Sequence, residues 1–178
     1  MKIGSWNRKF ILRPGAAEDW FGDAIKTVLP EEPANLAFGY FNPDTLLDVA
    51  YVTGTSHLHI LFNAGNGHFS YSNMYVAGKS DLAAGDPDHF GGDDIIVVGY
   101  PGEVEMLMYL NEGNGLFEPP ILLSPPAVLN HIRIGDLDSD GDNDVVAFGV
   151  YSQLCIESIF IFWGNGQGFD AEPDIYEC

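Results

Sequence analysis

The chain has 178 residues, 46% of them apolar and 19% charged, with a formal net charge of −19. That length and apolar fraction suit one folded domain with a sizeable core and exclude a disordered chain. The 26 acidic against 7 basic side chains leave no cationic surface for a phosphate backbone, which excludes nucleic acid as a partner, and no run approaches the roughly 20 apolar residues of a membrane-spanning helix, so no membrane insertion is expected.

The first residues supply no hydrophobic core of a secretion signal. Within residues 1–30, Ala16, Ala17, Trp20, Phe21, Ala24, Ile25, Val28 and Leu29 recur as adjacent pairs every four positions, which taken alone is a helical pattern. Register points the other way. Phe21 stands 18 residues before Gly39, much as Phe69 stands 16 before Gly85 and Phe117 stands 18 before Gly135. On that alignment residues 9–13 form a third strand and 23–29 a fourth, so the chain opens inside a partial unit without an acidic loop of its own.

From residue 31 onward a unit recurs. Glycine-led acidic loops at 39–48, 85–94 and 135–144 each run into a β-rich segment, at 49–52, 95–98 and 145–150. Apolar runs at 58–62, 106–110 and 159–163 then enter the turns Gly65-Asn66-Gly67-His68-Phe69, Gly113-Asn114-Gly115-Leu116-Phe117 and Gly164-Asn165-Gly166-Gln167-Gly168-Phe169. Each reads as a strand meeting a tight turn. The turn phenylalanines are 48 and 52 residues apart, about the length of one propeller blade. Four-stranded antiparallel units are therefore predicted over 31–77, 78–126 and 127–178, after a partial unit at 1–30, all in one structural domain. The prolines fall near strand ends and turns, where a missing backbone donor is tolerated.

The strongest chemical signal is the third loop, where Asp136, Asp138, Asp140, Asp142 and Asp144 occupy positions one, three, five, seven and nine. Alternate oxygens converge as such a loop curls, Gly141 permits the sharp turn, and calcium takes about 6 to 8 oxygen ligands. Asp136, Asp138, Asp140 and Asp144 are expected to bind Ca2+ through their side chains. An EF-hand is disfavoured, because position twelve is Ala147 and both flanks look like strands. Five like charges in one short loop repel unless a cation neutralises them. The second loop keeps Asp86, Asp88 and Asp94 but has Phe90 at position five, which makes it a weaker site. The first has Tyr40, Asn42, Asp44 and Asp48, with Thr45 in place of the glycine, and reads as a hydrogen-bonded turn.

Cys155 and Cys178 flank the last glycine-rich turn symmetrically. A hairpin about that turn brings them into near register, so a disulfide suited to an oxidising compartment is one reading and two free thiols the other. His57 and His59 share a strand face, a spacing that permits a transition-metal site; without further ligands they read as exposed strand histidines. No metalloprotease, nucleophile-elbow, P-loop or dinucleotide motif is present, so no catalytic residue is assigned.

The loop pattern D-x-D-x-D-G-x-x-D, followed by an apolar strand and closed by G-N-G-x-F, resembles the FG-GAP or VCBS repeat of integrin-α-like β-propellers. The resemblance covers about residues 31–178, and 1–30 more faintly. It implies an all-β, β-propeller-like array of four-stranded antiparallel blades, with three full repeats, a partial N-terminal blade, and calcium between the first and second strands of a blade. Relatives commonly close seven blades, so a small or open ring, self-association completing a ring, and a fragment of a longer protein all stand open. It also implies a non-catalytic extracellular or cell-surface adhesion module with a protein or glycan ligand. Some related propellers act as lectins through pockets between blades, for which Trp20, Trp163 and Tyr100 are candidate stacking surfaces, although core packing serves aromatics equally. The alternative is an accessory or catalytic part of a secreted polysaccharide-acting enzyme.

Overall fold

A computed structural model describes residues 9–12, 25–76, 81–99, 105–151, 156–170 and 172–177. Every regular element among them is a strand. Strands β1 (Lys9–Leu12) and β2 (Ile25–Val28) pair antiparallel, with Lys9 opposite Val28. This pair is the partial N-terminal unit; Trp20 and Phe21 lie outside the described residues. Three four-stranded antiparallel sheets follow, each pairing its strands in chain order. The first contains β3 (Pro33–Gly39), β4 (Asp48–Thr53), β5 (His57–Asn63) and β6 (Phe69–Tyr75). The second contains β7 (Asp81–Gly85), β8 (Asp94–Val98), β9 (Met106–Tyr109) and β10 (Ile121–Leu123). The third contains β11 (Ala127–Gly135), β12 (Asp144–Tyr151), β13 (Ile156–Phe162) and β14 (Asp174–Glu177).

The sheets do not close into a barrel. Their first strands lie side by side, with β7 packed against both β3 and β11, so successive sheets stack as blades do around a common axis. Among the described residues no helix is long and apolar enough to cross a membrane.

The core explains why the second strands read as unbroken apolar runs. Successive side chains of a strand point to opposite faces, and β8 has a sheet on each face. Ile95 and Val97 enter the cluster with Phe41, Ala50, Val52, Leu58 and Ile60 of the first sheet. Ile96 and Val98 enter the other, with Leu129, Ile132, Val145, Phe160 and Phe162 of the third. In β4 the same alternation sends Ala50 and Val52 toward the second sheet, while Val49 and Tyr51 meet Leu29 and Leu61. A strand covered on both faces has no solvent side on which to place polar residues.

The glycine turns close these units. In the first, Gly65, Asn66 and Gly67 all have positive φ, at 80°, 53° and 77°, the backbone region that glycine and asparagine enter most readily. An asparagine at or just beyond the end of the preceding strand sets the turn: Asn63 Oδ1 accepts from the Gly65 amide, and Asn111 Oδ1 from that of Gly113, both at 2.9 Å. The turn phenylalanines then return to the core. Phe117 packs 6.0 Å from Phe41, and Phe169 6.0 Å from Phe162.

Where the first strands meet, side chains leave little room. A β-carbon on Gly85 would stand 2.4 Å from Ile134 Cγ2 on β11. Overpacking of this kind costs about 1–3 kcal/mol, so Gly85→Ala is expected to lower the unfolding free energy by that amount, seen as a lower urea midpoint with an unchanged slope. A midpoint equal to the parent's would show that the two strands separate freely.

Candidate metal centres

Each acidic loop leaves the first strand of a sheet and returns through an aspartate that opens the second strand. These aspartates, Asp48, Asp94 and Asp144, are 0%, 0% and 1% exposed. Buried carboxylates need hydrogen bonds, and two of the three find them in the same way. Asp48 Oδ2 accepts from the Phe41 amide at 3.1 Å and its Oδ1 from the Asn63 amide at 2.7 Å. Asp144 Oδ2 accepts from Leu137 at 2.7 Å and Oδ1 from Gly164 at 2.8 Å. One oxygen thus holds the second residue of the loop and the other holds the end of the third strand.

The second loop breaks this rule. Asp94 Oδ1 accepts from the Asn111 amide at 2.7 Å, but Oδ2 is buried without a hydrogen-bond partner among the described residues. The residue in the place of Phe41 and Leu137 is Pro87, which has no N–H to give. Burial pushes the Asp94 carboxyl up to about 7, and the neighbouring Asp88, Asp86 and Asp93 charges add to the rise.

The bare oxygen faces other carboxylates. One oxygen each from Asp86, Asp88 and Asp94 lie within 4.8 Å of one another, and Asp136, Asp138 and Asp144 form the equivalent group in the third loop. Burial, and then the Asp88 charge, raise the pKa of Asp86. Asp138 is raised by desolvation and by the charges of Asp140, Asp144 and Asp136. Crowded, all-oxygen donors of this kind suit a hard cation such as calcium, and they suit soft transition metals poorly.

Asp140 and Asp142 stand apart from the third-loop group. Asp140 Oδ1 accepts from the Asp142 amide at 2.8 Å. Asp142 Oδ1 lies 2.8 Å from Nε2 of His89, in the neighbouring loop, and that contact raises the histidine pKa. Gly141 has φ of 101° where the loop turns. In the first loop, Asn42 Oδ1 accepts from Asp44 at 3.0 Å and Asp44 Oδ1 from Leu46 at 2.9 Å, two nested side-chain turns of the sort predicted there.

The loops are fastened to one another. Asp93 Oδ2 accepts from the Tyr40 amide at 2.7 Å, and the Asp93 amide donates to the Tyr40 carbonyl at 3.1 Å. Asn111 Nδ2 donates to the carbonyls of Phe41, at 3.2 Å, and Asp93, at 3.1 Å. One repeat later, Asn143 Nδ2 donates to the Asp86 carbonyl at 2.9 Å and the Gly168 amide to the Pro87 carbonyl at 3.0 Å. Sequence reasoning missed these clamps, although an Asp or Asn just before the buried aspartate marks both.

Other predicted residues are placed as follows. Cys155, Cys178 and Tyr100 lie outside the described residues. Trp163 is half-buried, and its Nε1 donates to Asp174 Oδ2 at 3.0 Å. The expectation of exposed strand histidines fails: His57 is half-buried and His59 is 3% exposed, because their shared face of β5 turns toward Tyr51 and Glu31. A cavity of about 550 Å³ lies between the second and third sheets, bordered by Met108, Ile121, Leu123, Asn165, Gln167 and Phe169.

Residues 86–147, which include both carboxylate clusters, match the family of FG-GAP-like repeats. No curated protein sequence matches the chain. Among solved structures it is similar to the crystal structure of a triple arginine-to-alanine mutant of AofleA from Arthrobotrys oligospora, at 16% identity and a TM-score of 0.53, over 87% of this chain and 46% of that one. The chain thus spans about half of that protein, and at this identity the likeness is one of fold. The chain carries an FG-GAP-like repeat at residues 86–147, within an all-β, propeller-like array of four-stranded sheets.

Proposed function

We propose that the chain is a calcium-dependent, non-catalytic binding module acting outside the cell, with a glycan or protein as ligand. The observation that carries this reading is the buried Asp94 Oδ2, without a hydrogen-bond partner among the described residues, beside Asp86 and Asp88; a second all-oxygen cluster stands one sheet later. A cation there supplies the charge that Pro87 leaves uncompensated and stiffens loops already fastened across sheets. Extracellular calcium modules bind at about 10⁻⁴ to 10⁻³ M, a range in which such exposed loops fill only outside the cell.

The cavity between the second and third sheets supplies a contact surface of the right kind. It pairs an apolar wall, from Met108, Ile121, Leu123 and Phe169, with the amides of Asn165 and Gln167. That combination meets both the C–H face and the hydroxyls of a sugar ring. A glycan array probed with the calcium-loaded chain is expected to show saturable binding that chelator abolishes and Gln167→Ala weakens at least about tenfold, the equivalent of about 1.4 kcal/mol. Turnover of an acidic polysaccharide would favour the enzymatic alternative. Glycan binding indifferent to chelator would separate the calcium from the function.

A further inference from the structure

A third cluster of ligating side chains lies away from the acidic loops. Glu31 precedes β3, and its Oε2 lies 3.2 Å from His57 Nδ1 and 3.8 Å from His59 Nε2, both on β5. One ligating atom from each of the three residues falls within 4.8 Å of the others.

His59 is the unusual member. It is 3% exposed and stacks on Tyr51 at 4.8 Å between ring centroids, with the planes 13° apart. Neither of its ring nitrogens has a hydrogen-bond partner among the described residues. A neutral imidazole carries one N–H and one lone pair, so Nε2 is a buried nitrogen directed at a carboxylate beyond hydrogen-bonding reach. Bonds of about 2.0–2.1 Å at tetrahedral angles separate neighbouring ligand atoms by about 3.3–3.4 Å, and the observed 3.2 and 3.8 Å bracket that value.

The surroundings are those of a held ligand set. Glu31 Oε2 also accepts from the Thr55 hydroxyl, which itself lies 2.9 Å from Thr53 Oγ1. Ligating carboxylates are commonly oriented by such outer partners. A cavity of about 360 Å³, bordered by Glu31, Glu32, Pro33, Ala34, Gly54 and Thr55, opens beside the carboxylate and offers an entry path and space for a water as fourth ligand.

We infer that Glu31, His57 and His59 bind a divalent transition-metal ion of the zinc class. Two imidazoles and one carboxylate favour zinc, cobalt or nickel over calcium, which sets this site apart chemically from the carboxylate loops. It does not depend on calcium or glycan binding.

The test is a calorimetric zinc titration of the full chain saturated with calcium, so that the acidic loops are occupied. One equivalent is expected to bind, and cobalt in its place to show the intense visible absorption of a tetrahedral site. Glu31→Gln and His57→Ala, at side chains 29% and 32% exposed, avoid emptying the core as a His59 variant would. Each is expected to weaken zinc at least about tenfold, whereas Asp138→Ala leaves it unchanged. The inference is overturned if the calcium-saturated chain takes up no zinc, or if both variants bind it as tightly as the parent.

Discussion

In chelator, the chain is expected to lose stability as pH rises from about 4 to 8, and Asp94→Asn to lessen that loss. Asp94 keeps its proton in the folded chain up to about pH 7, whereas in the unfolded chain it releases it near 3.9. Between those values the folded state binds the extra proton, so this contribution is complete below pH 4 and lost as pH passes 7. The gap corresponds to about 4 kcal/mol as an upper figure. Other acidic groups repel one another over the same range, which is why the comparison with Asp94→Asn isolates the effect. The asparagine keeps an acceptor for the Asn111 amide but carries no charge. Calcium is expected to flatten the parent's slope, since it stabilises the ionised carboxylate, and to flatten the variant's less, through the third-loop cluster alone. Equal pH slopes for parent and variant would show that Asp94 Oδ2 is satisfied in solution.

Asp138→Ala is expected to remove about half of the stabilisation that calcium gives to thermal unfolding. At a concentration 100 times the dissociation constant, one site contributes about 2.7 kcal/mol, or roughly 5–10 °C for a chain of this size. Asp138 carries one of three clustered oxygens in the third loop, while Asp140 holds the Asp142 amide. Asp140→Ala is therefore expected to retain calcium affinity better than Asp138→Ala. Scanning calorimetry in chelator, calcium and magnesium distinguishes the two variants, and an unchanged calcium response for Asp138→Ala would sink the assignment of the third loop.

Much of the fold was legible because it repeats. The second strands, the glycine turns and the acidic loops each carry a composition that recurs about every 50 residues, and the structure sets them in equivalent places. What was not legible depends on pairing across the chain. Pro87 was visible in the sequence, but its effect requires knowing that a loop amide caps the buried aspartate seven residues later. Glu31 sits 26 residues before His57, and no local pattern brings them together. Asp142 stands at position seven of the acidic loop, and the contact of its Oδ1 with His89 of the adjacent loop has no local signal in the sequence.

The clamps between loops run in one direction along the chain. The second sheet supplies Asp93 and Asn111 to the first loop, and the third supplies Asn143 and Gly168 to the second. On the ribosome, the first and second loops therefore wait for the following unit before their backbones are fully bonded. At synthesis rates of about 5–20 residues per second, that delay is roughly 3–10 s per repeat. Nascent sheets of this protein would mature from the N-terminal end in steps, each completed by its successor, and the acidic loops would exist half-formed for seconds while the chain is still being made.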